Sequence, residues 1–138
     1  MTIKQLFNDY DQNILFKDYQ LNIINEMTAN GSSLEEICES FLLVSTTKSI
    51  ENFGGNNKNI SVSIDNLKKE LFKYLCDDKY LEDRKRLYTS KTNKALTTMI
   101  SGHLGMIFSL ESIIVYPIVV LLIPTFRKIG CESYKNVN

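Results

Sequence analysis

Leu104-Gly-Met-Ile-Phe-Ser-Leu-Glu-Ser-Ile-Ile-Val-Tyr-Pro-Ile-Val-Val-Leu-Leu-Ile-Pro-Thr-Phe126 carries a single charge, Glu111. Over a window of about 19 residues its mean hydropathy is roughly 2, within the range that flags a membrane span. About twenty helical residues cross a hydrocarbon core of about 30 Å. A helix that is apolar on all sides has to be enclosed, by lipid or by protein.

Three features oppose a simple span. An acid such as Glu111 near a bilayer centre costs about 2.5–3.5 kcal/mol on insertion scales. Pro117 and Pro124 each remove a helical hydrogen bond. Basic residues flank both ends, Lys91 and Lys94 before and Arg127 and Lys128 after, so the positive-inside rule gives no orientation. The soluble alternative makes the segment a central core helix, or a helix pair kinked at Pro117, with Pro117 opening the second piece. Glu111 then complements the amino end of a helix that begins near Ser109.

The rest of the chain supplies amphipathic partners. Thr2-Ile-Lys-Gln5 and Ser33-Leu-Glu-Glu36 read as capping boxes. Helical spacing links Ile3, Leu6, Phe7, Tyr10 and Ile14, then Phe16, Tyr19, Ile23, Ile24 and Met27, with a weak break around Asn8–Asp11. Asn30-Gly31 is a stop, because glycine accepts the left-handed conformation just past a helix. Leu34, Ile37, Cys38, Phe41 and Leu42 share one face of the next helix. Leu67, Leu71, Tyr74 and Leu75 share one face of another, and Tyr80, Leu81, Leu87 and Tyr88 cluster on a fourth. Ser90 or Thr92 caps the helix that enters the apolar run. Alternation of Ile60, Val62 and Ile64 with Asn59, Ser61 and Ser63 allows a short strand. The predicted architecture is an all-α, single-domain bundle of five to seven helices over residues 1–138. Residues 1–53 are expected to form a helical hairpin, 54–60 a loop, 61–130 the C-terminal helices and 131–138 a polar tail.

At 138 residues the chain suits one domain. A domain of this size buries about two thirds of its unfolded surface and needs no staple to fold. Cys38, Cys76 and Cys131 are odd in number and widely spaced, with no CxxC and one histidine, His103. That pattern argues against a disulfide framework and against a zinc site, and predicts reduced core thiols, no metal and no cofactor. Met1-Thr2-Ile3-Lys4 lacks the apolar run of a secretory signal. The expected location is therefore the cytoplasm, with inner-membrane association as the alternative. A Lys-, Asn- and Ile-rich, Arg-poor chain fits an AT-rich bacterial or phage genome.

Net charge is zero but unevenly spread, with seven lysines against twelve acids in residues 1–78 and nine basic residues against four acids in 79–138. Lys79, Arg84, Lys85, Arg86, Lys91 and Lys94, interleaved with Tyr80 and Tyr88, form a candidate anion or nucleic-acid surface. Glu82 and Asp83 dilute it, and a solvated helix face is the expectation. Residues 31–53 loosely fit a helix-turn-helix in which Thr46, Thr47 and Lys48 would contact DNA. Phe41-Leu-Leu-Val44 fills the turn without a glycine, and the acidic half repels DNA. His103 sits on an apolar face with no assignable nucleophile, and Gly54-Gly55 lacks the context of a phosphate loop. Nothing assembles a nucleophile, a base and an oxyanion site, so no catalytic residue is expected.

The expected function is a non-enzymatic interaction or regulatory subunit of an intracellular complex. It would associate with a protein partner or with further copies of itself through the apolar helices. The expected contacts are Leu104, Ile107, Phe108, Ile113 and Ile114 on one side of Pro117 and Val119, Val120, Leu122 and Phe126 on the other. Gly102 and Gly105 would permit close helix approach. The alternatives are a small membrane-inserting effector, toxin or defence component using residues 104–126, and a helix-turn-helix-like DNA-binding regulator. Nucleic acid is the least expected partner.

Overall fold

The computed structural model describes residue 7 and residues 10–53, 63–89 and 92–137, with backbone alone at 44–53, 88 and 132–137. The described residues form an all-α bundle without strands. Its helices are α1 Gln12–Leu15, α2 Asp18–Ala29, α3 Leu34–Phe53, α4 Ile64–Cys76, α5 Leu81–Tyr88, α6 Asn93–Phe108 and α7 Ser112–Val137, with a 3-10 turn over Asp78–Tyr80. The capping box at Thr2, the loop at 54–60 and strand positions 60–62 lie outside the described residues, while Ile64 opens α4.

Local chemistry sets most boundaries. Ser33 and Glu36 exchange hydrogen bonds of 2.9 and 3.2 Å in a capping box. The Ser33 amide holds the Glu36 carboxyl below the usual carboxylate range. Ser63 caps α4 and Thr92 caps α6, each accepting a backbone amide at 3.1 Å. Gly31 takes φ 83° beyond α2, and the Ser32 amide bonds back to the Met27 carbonyl at 3.0 Å, which satisfies an orphan carbonyl of the last turn.

Three boundaries differ from expectation. The N-terminal segment is broken at Tyr10–Asp11, where extended Asp11 caps α1, and again, beyond expectation, at Phe16–Lys17, where the backbone is extended. This break lets α1 lie against α7, and Gln12 Nε2 donates to the Val120 carbonyl at 2.9 Å. That carbonyl is the one Pro124, four residues on, leaves without a helical donor. Second, α7 begins at Ser112, five residues before Pro117, and runs through both prolines. The turn sits earlier because Ser109 adopts φ 57° and the Leu110 amide closes back onto the Gly105 carbonyl at 2.8 Å. Third, residues 131–137 continue α7 in backbone conformation, past a non-helical Gly130 at φ 77°.

A single core joins the elements. Val115, the unbroken run Ile118–Ile123 and Phe126 are buried, so α7 is enclosed all round through its middle. It packs against α1, α3, α4 and α6, with the Phe72 and Phe126 rings 3.9 Å apart. Ile37, Cys38, Leu67, Leu71, Ile100 and Leu104 line the walls facing this core. Full burial of each such aliphatic side chain contributes about 1.5–3 kcal/mol, and this sum is what tolerates two prolines inside the central helix. Within residues 1–53, α3 packs against α4 and α7 as a part of the common core.

Cys76 and Cys131 form a disulfide, with Cα atoms 5.5 Å apart across a separation of 55 residues. This corrects the expectation of reduced thiols throughout. Sequence spacing held no sign of it, because the end of α4 and the bend at Gly130 meet only in the folded chain. Cys38 stays free and wholly buried, and burial pushes its thiol up to about 12, which leaves it unreactive.

Candidate functional site

The expected association residues divide into two groups. Leu104, Val119, Val120, Leu122 and Phe126 are sealed inside the chain's own core. They are corrected from contact residues to core residues, because the amphipathic faces of α3, α4 and α6 already cover them. Gly105 is buried too, and a Cβ there would stand 2.6 Å from the Leu110 carbonyl oxygen. Its close approach therefore serves the α6–α7 turn of its own chain and no second helix.

Gly102, Ile107 and Ile113 remain exposed, with Phe108 and Ile114 half-buried. Met99 and Met106 lie seven positions apart on α6, two helical turns along one outward face, and Gly102 between them has open space before it. Met106 is 76% exposed and Ile113 55% exposed. Together they form an apolar rim over the outer side of α6 and the first turn of α7. Methionine at such a rim is adaptable, since its unbranched thioether fits irregular partners.

Next to this rim lies a cleft of about 330 Å³ between α1, the start of α2, α6 and the first turns of α7. Ile14, Leu15, Phe16 and Ile113 give it an apolar wall, and Lys17, Lys94, Gln20 and Tyr116 a polar one. Ile14 is 79% exposed at its mouth. Thr98 and Ser101, also in the wall, donate to the Lys94 and Thr97 carbonyls of their own helix at 2.8 and 2.7 Å. The Tyr116 hydroxyl is buried with no hydrogen-bond partner among the described residues. Such a group carries a desolvation cost of about 1–3 kcal/mol. Burial raises its pKa above the ordinary tyrosine value, so it stays protonated as a donor. Sequence reasoning missed this cleft, since its walls come from residues about 80–100 positions apart in the chain.

The basic stretch does not assemble into one surface. Arg84 is buried, and its guanidinium donates to the Tyr74 and Asp77 carbonyls at 2.8 and 2.6 Å. It caps the C-terminus of α4, where a cation complements the helix dipole, and is corrected from an anion contact to a structural residue. Lys85 pairs with Glu82 at 3.0 Å, Arg86 is exposed, and Lys94 lines the cleft. Lys91 and the Lys48 side chain lie outside the described residues. The loose helix-turn-helix fit over 31–53, a minor alternative, is corrected as well. α3 runs unbroken from Leu34 to Phe53, because Phe41-Leu-Leu-Val44 offers no residue that would end it.

His103 stacks on Tyr74 at 4.2 Å and meets the edge of Tyr80 at 5.0 Å. Burial holds its pKa below the ordinary histidine value, with Asp83 and Glu70 opposing. It is a neutral packing residue at pH 7. Among the described residues no group of three His, Cys, Asp or Glu side chains is placed to hold a metal ion. No family model matches the chain, and neither the curated proteins nor the solved structures contain a match to it.

Proposed function

We propose that the chain is a small non-enzymatic helical subunit that associates through the apolar rim of α6 and the first turn of α7. The observation that carries this reading is the exposure of Met99, Met106, Ile107 and Ile113 beside an α7 whose middle, Ile118–Ile123, is buried. Contiguous exposed apolar side chains mark interaction sites in soluble proteins. The partner is taken to be a second copy of the chain. The lone histidine, packed between two tyrosines, supports a role without catalysis. The Cys76–Cys131 bond supports an oxidising compartment over a reducing cytoplasm.

Light scattering across a concentration series tests the proposal. The expected result is self-association that the pair Met106→Glu and Ile113→Glu abolishes while the thermal melt stays unchanged. A monomer at every concentration overturns it.

A second reading is favoured by one observation: Ser112–Cys131 is a 20-residue helix of mean hydropathy 1.8, long enough to cross a membrane, with half of the window buried in the bundle. Insertion would require α7 to leave α3, α4 and α6. The disulfide ties its far end to α4, so under this reading reduction precedes insertion. Recovery in a carbonate-resistant membrane fraction only after reductant is the result that favours it.

A further inference from the structure

We propose that the cleft between α1, α6 and α7 binds a single-chain aliphatic carboxylate of medium length. The apolar wall of Ile14, Leu15, Phe16 and Ile113 takes the alkyl chain, and Lys17 and Lys94 take the carboxylate. Four observations carry the assignment. Lys17 and Lys94 both line the cleft, and among the described residues neither makes an ion pair. No acid lines the cleft; Asp18 and Glu111 neighbour lining residues in sequence but stand outside it. Thr98 and Ser101 are occupied by their own helix, which leaves the two lysines as the charged donors of the lining. Gln20, 2% exposed, is fixed by the Lys17 amide at 2.9 Å through its carbonyl oxygen, so the wall is built and rigid at that point. A concave site that combines apolar lining with a few cationic donors suits an amphipathic anion. The volume of about 330 Å³ holds roughly ten non-hydrogen atoms at about 30 Å³ for each water-sized group. That matches an eight-carbon acid.

Isothermal titration of octanoate against octanol tests this, because the two share a tail and differ in charge. Octanoate is expected to bind at least tenfold more tightly, with an affinity that falls as salt rises. The pair Lys17→Gln and Lys94→Gln is expected to bring octanoate down to the level of octanol. Both lysines are exposed, so the double variant keeps the wild-type melting temperature, and its loss of binding reads on the site alone. Equal binding of the two probes, binding indifferent to the lysine pair, or no heat up to millimolar octanoate overturns the proposal. The rim variant Met106→Glu, away from the cleft, is expected to bind octanoate as the wild type does, which separates this test from that of self-association.

Discussion

The two halves of one apolar run meet opposite fates. Val115, Ile118–Ile123 and Phe126 are enclosed by four helices of the same chain, whereas Met106, Ile107 and Ile113, a few positions earlier, face outward. Hydropathy alone does not distinguish them. The Ser109–Glu111 turn reverses the chain, and burial becomes continuous only from Pro117, beyond the first turn of α7. Enclosure depends on where the neighbouring amphipathic helices end, and their faces are used up on the later half.

Phe126→Ala is expected to have the largest effect, about 3–5 kcal/mol, since it removes a fully buried ring from contact with Phe72. Ile113→Ala should stay within about 0.5 kcal/mol. Urea unfolding of both measures the contrast directly, and equal losses would erase the distinction between the halves. Reduction, or Cys131→Ser, should cost about 2–4 kcal/mol, because it frees a loop of 55 residues in the unfolded chain. Melting with and without reductant reads this, and a Cys38→Ala variant that shows the same reductant-induced shift as the wild type assigns the effect to the pair.

Gln12→Ala should cost about 1–2 kcal/mol by orphaning the Val120 carbonyl. In a Pro124→Ala background, where the helix supplies its own donor, the same change should cost clearly less. A double-mutant cycle that finds no coupling would refute the pairing of Gln12 with the proline gap. The smallest expected effect is a gain. Ser109 holds a left-handed conformation that glycine adopts freely, so Ser109→Gly should raise stability by about 0.5–1 kcal/mol, visible as a higher urea midpoint.

Local features were legible in the sequence. The Ser33–Glu36 box, the Asn30-Gly31 stop, the Thr92 cap and the face of Leu67, Leu71, Tyr74 and Leu75 all depend on residues within a few positions of each other, and each is found as read. The all-α class followed from them. Features that depend on chain return were not legible. Nothing near Gln12 announces that it serves a carbonyl 108 residues away. Arg84 reads as one more surface cation until the end of α4 arrives beneath it. Ser109 hides the α6–α7 turn because serine rarely takes positive φ, and attention falls on Pro117 instead. The cleft escaped notice for the same reason: Lys17 and Lys94 have no relation until α1 and α6 lie side by side.

The Cys76–Cys131 bond also orders events in time. Its two thiols belong to elements that approach only once α7 has docked on α4, so an extended chain offers them little effective concentration. Cys38, the competing thiol, is buried in the core of the folded chain. Oxidation thus follows assembly and then locks it, and the fraction of chains that resist thiol alkylation is a direct census of molecules that have finished folding.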